Sequence, residues 1–307
     1  MTARFILSLD CEGKWGVADI LGPREQETLS DARLRRAYSD IVALLDRLSV
    51  PATFAFVGLF GETPEDFRRL GGELQALSAA APHYLSPALV DIESGSREGW
   101  HGAWAVDSVG AAKAGHEIAL HGVTHVPWGT VDEGFARAEL ALLERLRPEI
   151  RGARTFIYPR NDVAHAQLLP GAGVEGYRLA PPRRSRARSL ASEANIFSRP
   201  EKDPPAGNPI AIPAGYFVNY QHGPRRLVPQ LLSLLRLRNL LDRAERTGEV
   251  VHYWLHPENV AAAPATLDLL RATVEEVARR RDAGRCRVLT QIGYCRERAG
   301  GRAAAAA

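Results

Sequence analysis

The stretch HEIALHGVTH, residues 116–125, decides how the rest of the chain is interpreted. Its EIAL run is typical of a short buried strand, and Gly122 follows where such a strand would end. Three of the nine histidines of the chain fall within these ten residues. His121 and His125 are four residues apart, a spacing that lets two histidines face one side of a turn and hold zinc. The alternative is that they are ordinary polar residues at a strand end, which is how we interpret His116.

Strand-like and helix-like patterns alternate along the chain on both sides of this stretch. Near-continuous apolar strands separated by amphipathic helices predict a parallel sheet that is covered by helices. Because at least six such units are present, the predicted fold class is α/β, with a distorted (β/α) barrel favoured over an open sheet. Strands are expected at residues 4–10, 51–58, 117–122, 153–161, 249–259 and 286–295, and helices at residues 29–50, 107–116, 132–148, 227–248 and 265–284.

The pattern predicts one domain over residues 1–298. Two loop insertions are expected, near residues 60–100 and 181–209, because these segments carry few strand signals and the second is rich in Pro, Arg and Ser. Loops of that length in a compact domain are usually functional or mobile. Residues 299–307, which end in a run of alanines, are expected to be a disordered tail.

Polar side chains follow four of the predicted strands. In parallel α/β folds the carboxyl ends of the strands converge on one rim, and chemistry takes place there. We therefore expect these residues to meet, because they are of types that can bind a metal or move protons: Asp10, Glu12, His121, His125, Arg160, Asn161, His256, Glu258 and Asn259.

Strand geometry separates candidates within two of these segments. Asp10 and Glu12 are two residues apart, so both side chains can face the same side while Cys11 faces the other. Cys11 stays open as a metal ligand, since thiolate binds zinc well. His252 and His256 share a strand face but are about 13 Å apart, too far for one small site. His256 is therefore the candidate.

Composition narrows the class of partner. The formal charge is only +3 and no basic strip is interleaved with aromatic residues, which argues against nucleic acid. No stretch approaches the roughly 20 apolar residues of a membrane span. The apolar run at residues 5–9 is too short for an export signal, and three cysteines without framework spacing suit a reducing compartment. A cytoplasmic protein is expected.

The ordered set LSLDCEGKWG, GHEIALHGVTH, FIYPRND and HYWLHPEN resembles the polysaccharide deacetylases, the carbohydrate esterase family 4-like group with the NodB-homology domain. The resemblance covers residues 4–295 and is most specific at the two histidines. It implies a hydrolase of carbon–nitrogen bonds other than peptide bonds, which removes an acyl group, normally N-acetyl, from a carbohydrate.

The resemblance also implies roles for individual residues. Asp10 corresponds to the catalytic base and Glu12 to a ligand of a divalent metal, most simply zinc, with His121 and His125 completing the ligand set. Cobalt, nickel and iron also suit two histidines and a carboxylate. His256 corresponds to the general acid.

This sequence departs from the family pattern at two motifs. Cys11 stands where many members have a second aspartate. Ile157 stands where an arginine usually precedes the proline of FIYPRND, and Arg160 follows that proline instead. Arg160 is expected to orient or polarise the site from this different position.

Several residues beside the motifs are candidates for contact with a sugar, because aromatic faces stack on sugar rings. Core packing is the alternative for each aromatic one. The set is Trp15, Trp128, Tyr158 and Asn161.

The expected substrate is a small or carrier-linked amino sugar. Arginines that could meet a phosphate of such a carrier lie at 183, 184, 186 and 188, with a solvated loop as the alternative. Two other functions stay open: a metal-independent hydrolase of cyclic amides or ureides with the same fold, and an inactive carbohydrate-binding homologue. Oligomeric state is not predicted.

Overall fold

The centre of the sheet is strand β1 (Ala3–Cys11), of which all but one residue are buried. The computed structural model describes the backbone of residues 1–182 and 185–306, and the side chains of the same residues except 186, 187 and 301–306. Within these ranges nine strands form one sheet. After β1 they are β2 (Thr53–Phe56), β3 (Glu117–Leu120), β4 (Thr155–Phe156), β5 (Gly176–Arg178), β6 (Ile210–Ile212), β7 (Tyr216–Phe217), β8 (Val250–Leu255) and β9 (Cys286–Leu289).

Every paired strand in this sheet runs parallel to its neighbour. The strand order is β6-β5-β4-β3-β2-β1-β8-β7, with β9 also paired to β1. Strand β8 pairs with residues 4–9 of β1, whereas β9 pairs with residues 3–6 and β2 with residues 8–11. Because a strand has two edges, β9 and β2 share one edge of β1. Strand β9 is therefore an extra neighbour at the amino end of β1, outside the main strand order, and the sheet departs from a regular barrel there.

Helices cover the sheet. Those in the described part of the chain are α1 (Pro23–Thr28), α2 (Asp31–Arg47), α3 (Pro64–Arg68), α4 (Gly71–Ala80), α5 (Pro82–Glu93), α6 (Ala103–Gly110), α7 (Glu133–Leu143), α8 (Pro148–Arg151), α9 (Arg186–Glu193), α10 (Gln230–Thr247), α11 (Pro257–Ala262), α12 (Ala265–Asp282) and α13 (Gln291–Ala306). None of these helices combines the length and the apolar character needed to cross a membrane.

Helix α2 shows why the helices form where they do. Ser30 stands before the helix with extended backbone, and Asp31 and Arg47 place an acid in the first turn and a base in the last, where each favours the helix dipole. One face, which includes Leu34 and Ile41, is fully buried. Burying such a side chain stabilises the fold by about 2 kcal/mol.

The predicted α/β class and distorted barrel are confirmed, but several boundaries differ. The insertion at residues 60–100 is helical rather than a loop: α3, α4 and α5 lie there. The helix expected at residues 107–116 is α6, which begins earlier. The last predicted strand ends at Leu289, and its second half is the start of α13. This helix extends to Ala306, where a disordered tail was expected; the side chains of residues 301–307 lie outside the described residues.

Three short strands, β5, β6 and β7, were not predicted. Each has only two or three residues, too few for a periodic pattern. The second insertion, residues 181–209, contains helix α9; residues 183 and 184 lie outside the described residues, as do the side chains of 186 and 187.

Candidate active site

The carboxyl ends of the central strands bring the predicted polar residues together. Glu12 follows β1, His121 and His125 follow β3, and His256 follows β8. Strands β3 and β8 lie on opposite sides of β1 in the sheet. Residues more than a hundred positions apart in the chain therefore meet at one rim, as the parallel topology requires.

Three imidazoles converge on one oxygen atom of Glu12. Its Oε1 lies 2.9 Å from Nε2 of His121, 3.1 Å from Nε2 of His125 and 3.3 Å from Nε2 of His256. The side chain of Glu12 is only 13% exposed and those of His121 and His125 are buried. The site is thus screened from solvent, and its electrostatic interactions are strong.

The proton arrangement of His121 indicates what this cluster can hold. Its Nδ1 lies 2.8 Å from the carbonyl oxygen of Ile157, and a carbonyl only accepts a hydrogen bond, so Nδ1 carries a proton. In the neutral ring, Nε2 then presents a lone pair to the carboxylate oxygen of Glu12. Two acceptors 2.9 Å apart require a positive centre between them, either a second ring proton or a metal ion.

The donor set fits a divalent metal. One ligand atom each from Glu12, His121 and His125 lies within 4.8 Å of the others. With ligand distances of about 2.0–2.1 Å, the donors of a tetrahedral zinc are about 3.3 Å apart, close to the separations found here. A backbone carbonyl that fixes the second ring nitrogen, as Ile157 does for His121, is the usual partner of a metal-binding histidine.

Glutamates outside the cluster hold the backbone that carries its members. Oε1 of Glu258, in the first turn of α11, accepts hydrogen bonds from the backbone N–H groups of Glu12 (3.1 Å) and Gly13 (2.7 Å). Burial, reinforced by the negative charge of Glu12, raises the pKa of Glu258 to about 7.

Glu139 of α7 fixes the turn between His121 and His125. Its buried Oε1 accepts hydrogen bonds from the backbone N–H of Val123 (3.0 Å) and from both the N–H and the hydroxyl of Thr124 (2.6 Å each). His125 has a φ of +64°, an unusual backbone for a non-glycine residue. Anchoring of the turn by one carboxylate offsets that strain and aims both imidazoles at Glu12.

Gly16 leaves the space that the Glu12 carboxylate occupies. A Cβ atom added at Gly16 would lie 1.8 Å from Oε2 and 2.7 Å from Cδ of Glu12. Any side chain at position 16 would therefore displace the carboxyl group.

Asp10 is bound by an arginine that the sequence interpretation missed. Nη1 and Nη2 of Arg178, at the end of β5, donate to the two carboxylate oxygens at 2.8 and 2.6 Å. Arg178 is 1% exposed and Asp10 is 2% exposed. Burial by itself raises the pKa of Asp10, but the charges of Arg178, His121 and His256 outweigh it and the pKa is lowered. The carboxylate is therefore ionised and fixed in orientation.

His256 lies between the two carboxylates. Its Nε2 is 4.0 Å from Oδ2 of Asp10 as well as close to Glu12, and its Nδ1 is 3.3 Å from Oδ1 of Asn259. Burial lowers the pKa of His256, but the negative charges of Glu12, Asp10 and Glu258 raise it to about 9. The surrounding carboxylates therefore favour the protonated form of this imidazole.

Two cavities open on either side of His256 in the described part of the chain. One, of about 400 Å³, is also lined by Glu12, Glu258 and Asn259. The other, of about 480 Å³, is lined by Trp254, Phe217 and Glu201.

Arg160 and Asn161 are placed differently from each other. Both have left-handed backbone, with φ of +54°. The guanidinium of Arg160 pairs with Asp19 at 2.5 Å and lies over the ring of Tyr84, rather than against Asp10. Oδ1 of Asn161 accepts a hydrogen bond from Arg178 at 3.0 Å and so belongs to the cluster around Asp10.

The three aromatic residues expected to contact a sugar are core residues. Trp15 is 2% exposed and donates to the carbonyl of Trp100, Trp128 is fully buried and donates to Glu139, and Tyr158 is 1% exposed. Their rings pack on other buried aromatic rings, so no face is open to a ligand. These aromatic side chains pack in the core next to the strand ends and thereby support the polar cluster.

His252 and Cys11 both lie outside the cluster of ligand atoms around Glu12. His252 is fully buried, with Nε2 2.9 Å from Oγ of Ser8 and Nδ1 2.7 Å from the carbonyl of Pro213, so it lies in the core. The buried thiol of Cys11 faces the carbonyl of Leu9, away from the ligand atoms. No metal-binding group among the described residues includes Cys11.

Solved structures of other proteins resemble this chain, although sequence comparisons find no match. No protein-family model matches the sequence, and no curated protein matches it. The chain is similar to a solved structure from Mycobacterium smegmatis described as a polysaccharide deacetylase, with 16% identity and a TM-score of 0.62 over 98% of this chain and 91% of that one.

Two further solved structures show similar agreement. A protein from Pseudomonas aeruginosa PAO1 described as a polysaccharide deacetylase has 12% identity and a TM-score of 0.55 over 96% of this chain and 90% of that one. The Puue allantoinase has 13% identity and a TM-score of 0.53 over 96% and 89%. At these identities the similarity concerns the fold: the chain has the NodB-like deacetylase fold, as the motif resemblance implied.

Proposed function

We propose that this chain is a metal-dependent hydrolase that removes an acyl group, normally N-acetyl, from an amino sugar or a sugar-containing biosynthetic intermediate, either small or linked to a carrier. The observation that carries the proposal is the convergence of His121 and His125 on Glu12 beside an independently held carboxylate, Asp10. Hydrolysis of an amide requires a base, an acid and a means to stabilise negative charge on the carbonyl oxygen. The rim offers a carboxylate for the base, an imidazole for the acid and ligands for an ion that would stabilise the negative charge.

Glu12, His121 and His125 would hold the divalent ion, for which zinc is the simplest choice. When bound, such an ion polarises the acyl carbonyl and makes water more acidic. Two histidines and one carboxylate leave further coordination positions open, as in catalytic rather than structural zinc sites.

Asp10 is the proposed base. It is ionised, and Arg178 fixes both of its oxygens, so it can accept the proton of an attacking water without first changing orientation. Pairing with arginine also makes it a weak base, which suits a water already made more acidic.

His256 is the proposed general acid. An amine leaves an acyl group readily only if it is protonated, and the carboxylate of Asp10, 4.0 Å from Nε2, favours the protonated form of His256. Its hydrogen bond to Asn259 orients the ring so that Nε2 faces the carboxylates.

The test combines metal content with release of acetate from N-acetylated sugars. We expect wild-type protein to bind one equivalent of metal and to lose activity with a chelator. Glu12→Ala should lose the metal, whereas Asp10→Asn should keep it and lose turnover. Glu27→Ala, which removes an exposed glutamate paired only with Arg33, is the matched control. Full metal content in Glu12→Ala would refute the ligand assignment.

A second candidate is a hydrolase of cyclic amides or ureides, and the similarity to the Puue allantoinase favours keeping it. The two reactions share an amide carbonyl and differ in the leaving group, which stays tethered when a ring opens. Ring opening of a cyclic ureide by metal-free protein, with no acetate released from any acetylated sugar, would establish this second function.

A further inference from the structure

Two different groups of polar side chains line the cavity of about 400 Å³ beside the cluster. Glu12, His256 and Glu258 line one part of it. A different group of polar side chains lines it too: Arg24 from α1, and Tyr220 and His222 from the segment that follows β7. The volume suits one small ligand. Since the proposed acid and a proposed metal ligand both line this cavity, the substrate of the proposed reaction would occupy it.

Arg24 is an unneutralised cation in the lining of this cavity. No carboxylate in the described part of the chain forms an ion pair with it, although Glu25, its neighbour in sequence, also lines the cavity. The carboxylate of Glu25 instead accepts a hydrogen bond from the backbone N–H of Gly22. The guanidinium of Arg24 contacts Nε2 of His222. A guanidinium only donates hydrogen bonds, so this contact uses the ring nitrogen as an acceptor and leaves the positive charge uncompensated.

Two more groups capable of donation lie beside Arg24. The rings of Tyr220 and His222 stack with centroids 5.3 Å apart. Burial raises the pKa of Tyr220 while the charge of Arg24 acts against that rise, as expected of near neighbours. A guanidinium, an imidazole and a phenol together offer a set of donors that suits the oxygens of a phosphate or a carboxylate.

From this juxtaposition we infer that the substrate carries an anionic group, and that Arg24 with His222 and Tyr220 binds it while the acyl group lies at Glu12 and His256. The proposed chemistry fixes this orientation. The acyl amide is the group on which Asp10, His256 and the metal would act, so the anionic group faces the part of the cavity lined by Arg24. The inference rests on the proposed function and adds the substrate class to it: an acylated amino sugar bearing a phosphate or a carboxylate.

The experiment compares three probes: N-acetylglucosamine, its 1-phosphate and N-acetylmuramic acid, which carries a carboxylate. Binding to the metal-loaded protein is measured by calorimetry, and acetate release is followed in parallel. The variants are Arg24→Gln and, as a matched control, Arg33→Gln, which removes an exposed arginine that pairs with Glu27 and does not line the cavity.

Wild type should bind at least one anionic probe more tightly than the neutral sugar. Arg24→Gln should weaken binding of that probe about 10–100-fold, the value of a hydrogen bond to a charged group, and should leave the neutral sugar unchanged. In turnover the loss should appear in KM with kcat retained. Whether the 1-phosphate or the carboxylate responds identifies the anion.

Equal weakening of neutral and anionic probes in Arg24→Gln, or none at all, overturns the inference and leaves the hydrolase proposal standing. Absence of acetate release from every probe counts against the proposed function. In that case the binding measurement still decides whether Arg24 selects an anion.

Discussion

Replacement of Gly16 by alanine tests the candidate metal centre without removing any of its polar groups. The backbone at Gly16 is not left-handed, so alanine is tolerated there, but its Cβ would stand 1.8 Å from Oε2 and 2.7 Å from Cδ of Glu12. Because real contacts of this kind are not shorter than 3.0 Å, the carboxyl group as a whole must retreat. Metal sites tolerate ligand displacements of only about 0.2 Å.

We therefore expect Gly16→Ala to weaken metal binding about 10–100-fold, the range seen when a residue that positions a metal ligand is lost. Global stability should change little, since the displaced atoms are the end of a flexible side chain. The assays are competition with a chromophoric chelator for affinity and thermal unfolding of metal-free protein for stability.

Gly72→Ala is the matched control, because it lies in α4 and a Cβ there meets nothing within 4 Å. Its metal affinity should equal that of wild type. Wild-type affinity in Gly16→Ala would show that Glu12 does not need its observed position. A melting temperature that falls together with affinity would show a packing defect rather than a displaced ligand.

Three further predictions concern the residues around the cluster. Glu139→Gln should destabilise the protein by about 1–3 kcal/mol in denaturant unfolding and weaken metal binding, since its amide NH₂ must face either the N–H donors of the turn or the indole N–H of Trp128. Unchanged metal affinity would exclude a role for Glu139 in aiming the histidines. Arg178→Lys should keep the metal and lower kcat about 10–100-fold, because lysine cannot hold both oxygens of Asp10, and wild-type turnover would refute this. Burial raises the pKa of Glu201 from 4.5 to about 7, so the folded protein holds this proton more tightly than the unfolded chain does. The free energy of unfolding therefore falls by about 3 kcal/mol as pH rises from 4.5 through 7. Glu201→Gln should remove that part of the pH dependence, and equal pH profiles for variant and wild type would contradict it.

The sequence carried enough information to predict which residues gather at the rim. Asp10, Glu12, His121 and His256 each end or follow a strand with a clear apolar run, and parallel strands must present those ends together. Their roles stay predictions, because the structure fixes positions and not reactivity.

Arg178 could not be predicted for a reason that lies in its strand. Strand β5 has three residues, and the surrounding letters EGYRLAPP show no periodicity that would mark a strand end. Arg160, by contrast, follows an obvious strand, but left-handed backbone at Arg160 and Asn161 turns the guanidinium toward Asp19. Sequence order alone does not reveal such a turn. The arginine that binds Asp10, Arg178, therefore comes from β5, which neighbours β4, and not from the segment that follows β4.

The aromatic residues were misassigned for a related reason. Trp15 and Trp128 are close in sequence to ligands, and closeness in sequence says nothing about which side of the rim a ring faces. A buried polar cluster also needs a rigid floor, and large rings supply it: Trp128 both packs on Phe156 and donates to Glu139. Of the glutamates that hold the cluster, Glu258 belongs to the strand-end motif HYWLHPEN, whereas Glu139 gave no motif signal, because a single acid in a helix is usually solvated.

The difference between Asp10 and Glu12 arises from their partners rather than from their chemistry. Both are carboxylates on the same face of one strand end, yet Arg178 claims both oxygens of Asp10, whereas imidazoles surround one oxygen of Glu12. The guanidinium of Arg178 already binds both oxygens of Asp10 and offers no lone pair to a metal, whereas neutral imidazoles add donor atoms beside Glu12. The metal should therefore choose Glu12, and Asp10 is left to exchange protons. Two similar acids in an active site often take different roles, as acid, base or ligand, because their neighbours differ. Exchange of the two side chains, Asp10→Glu with Glu12→Asp, would keep every charge and should still abolish turnover, since each carboxylate would miss its partners by one methylene.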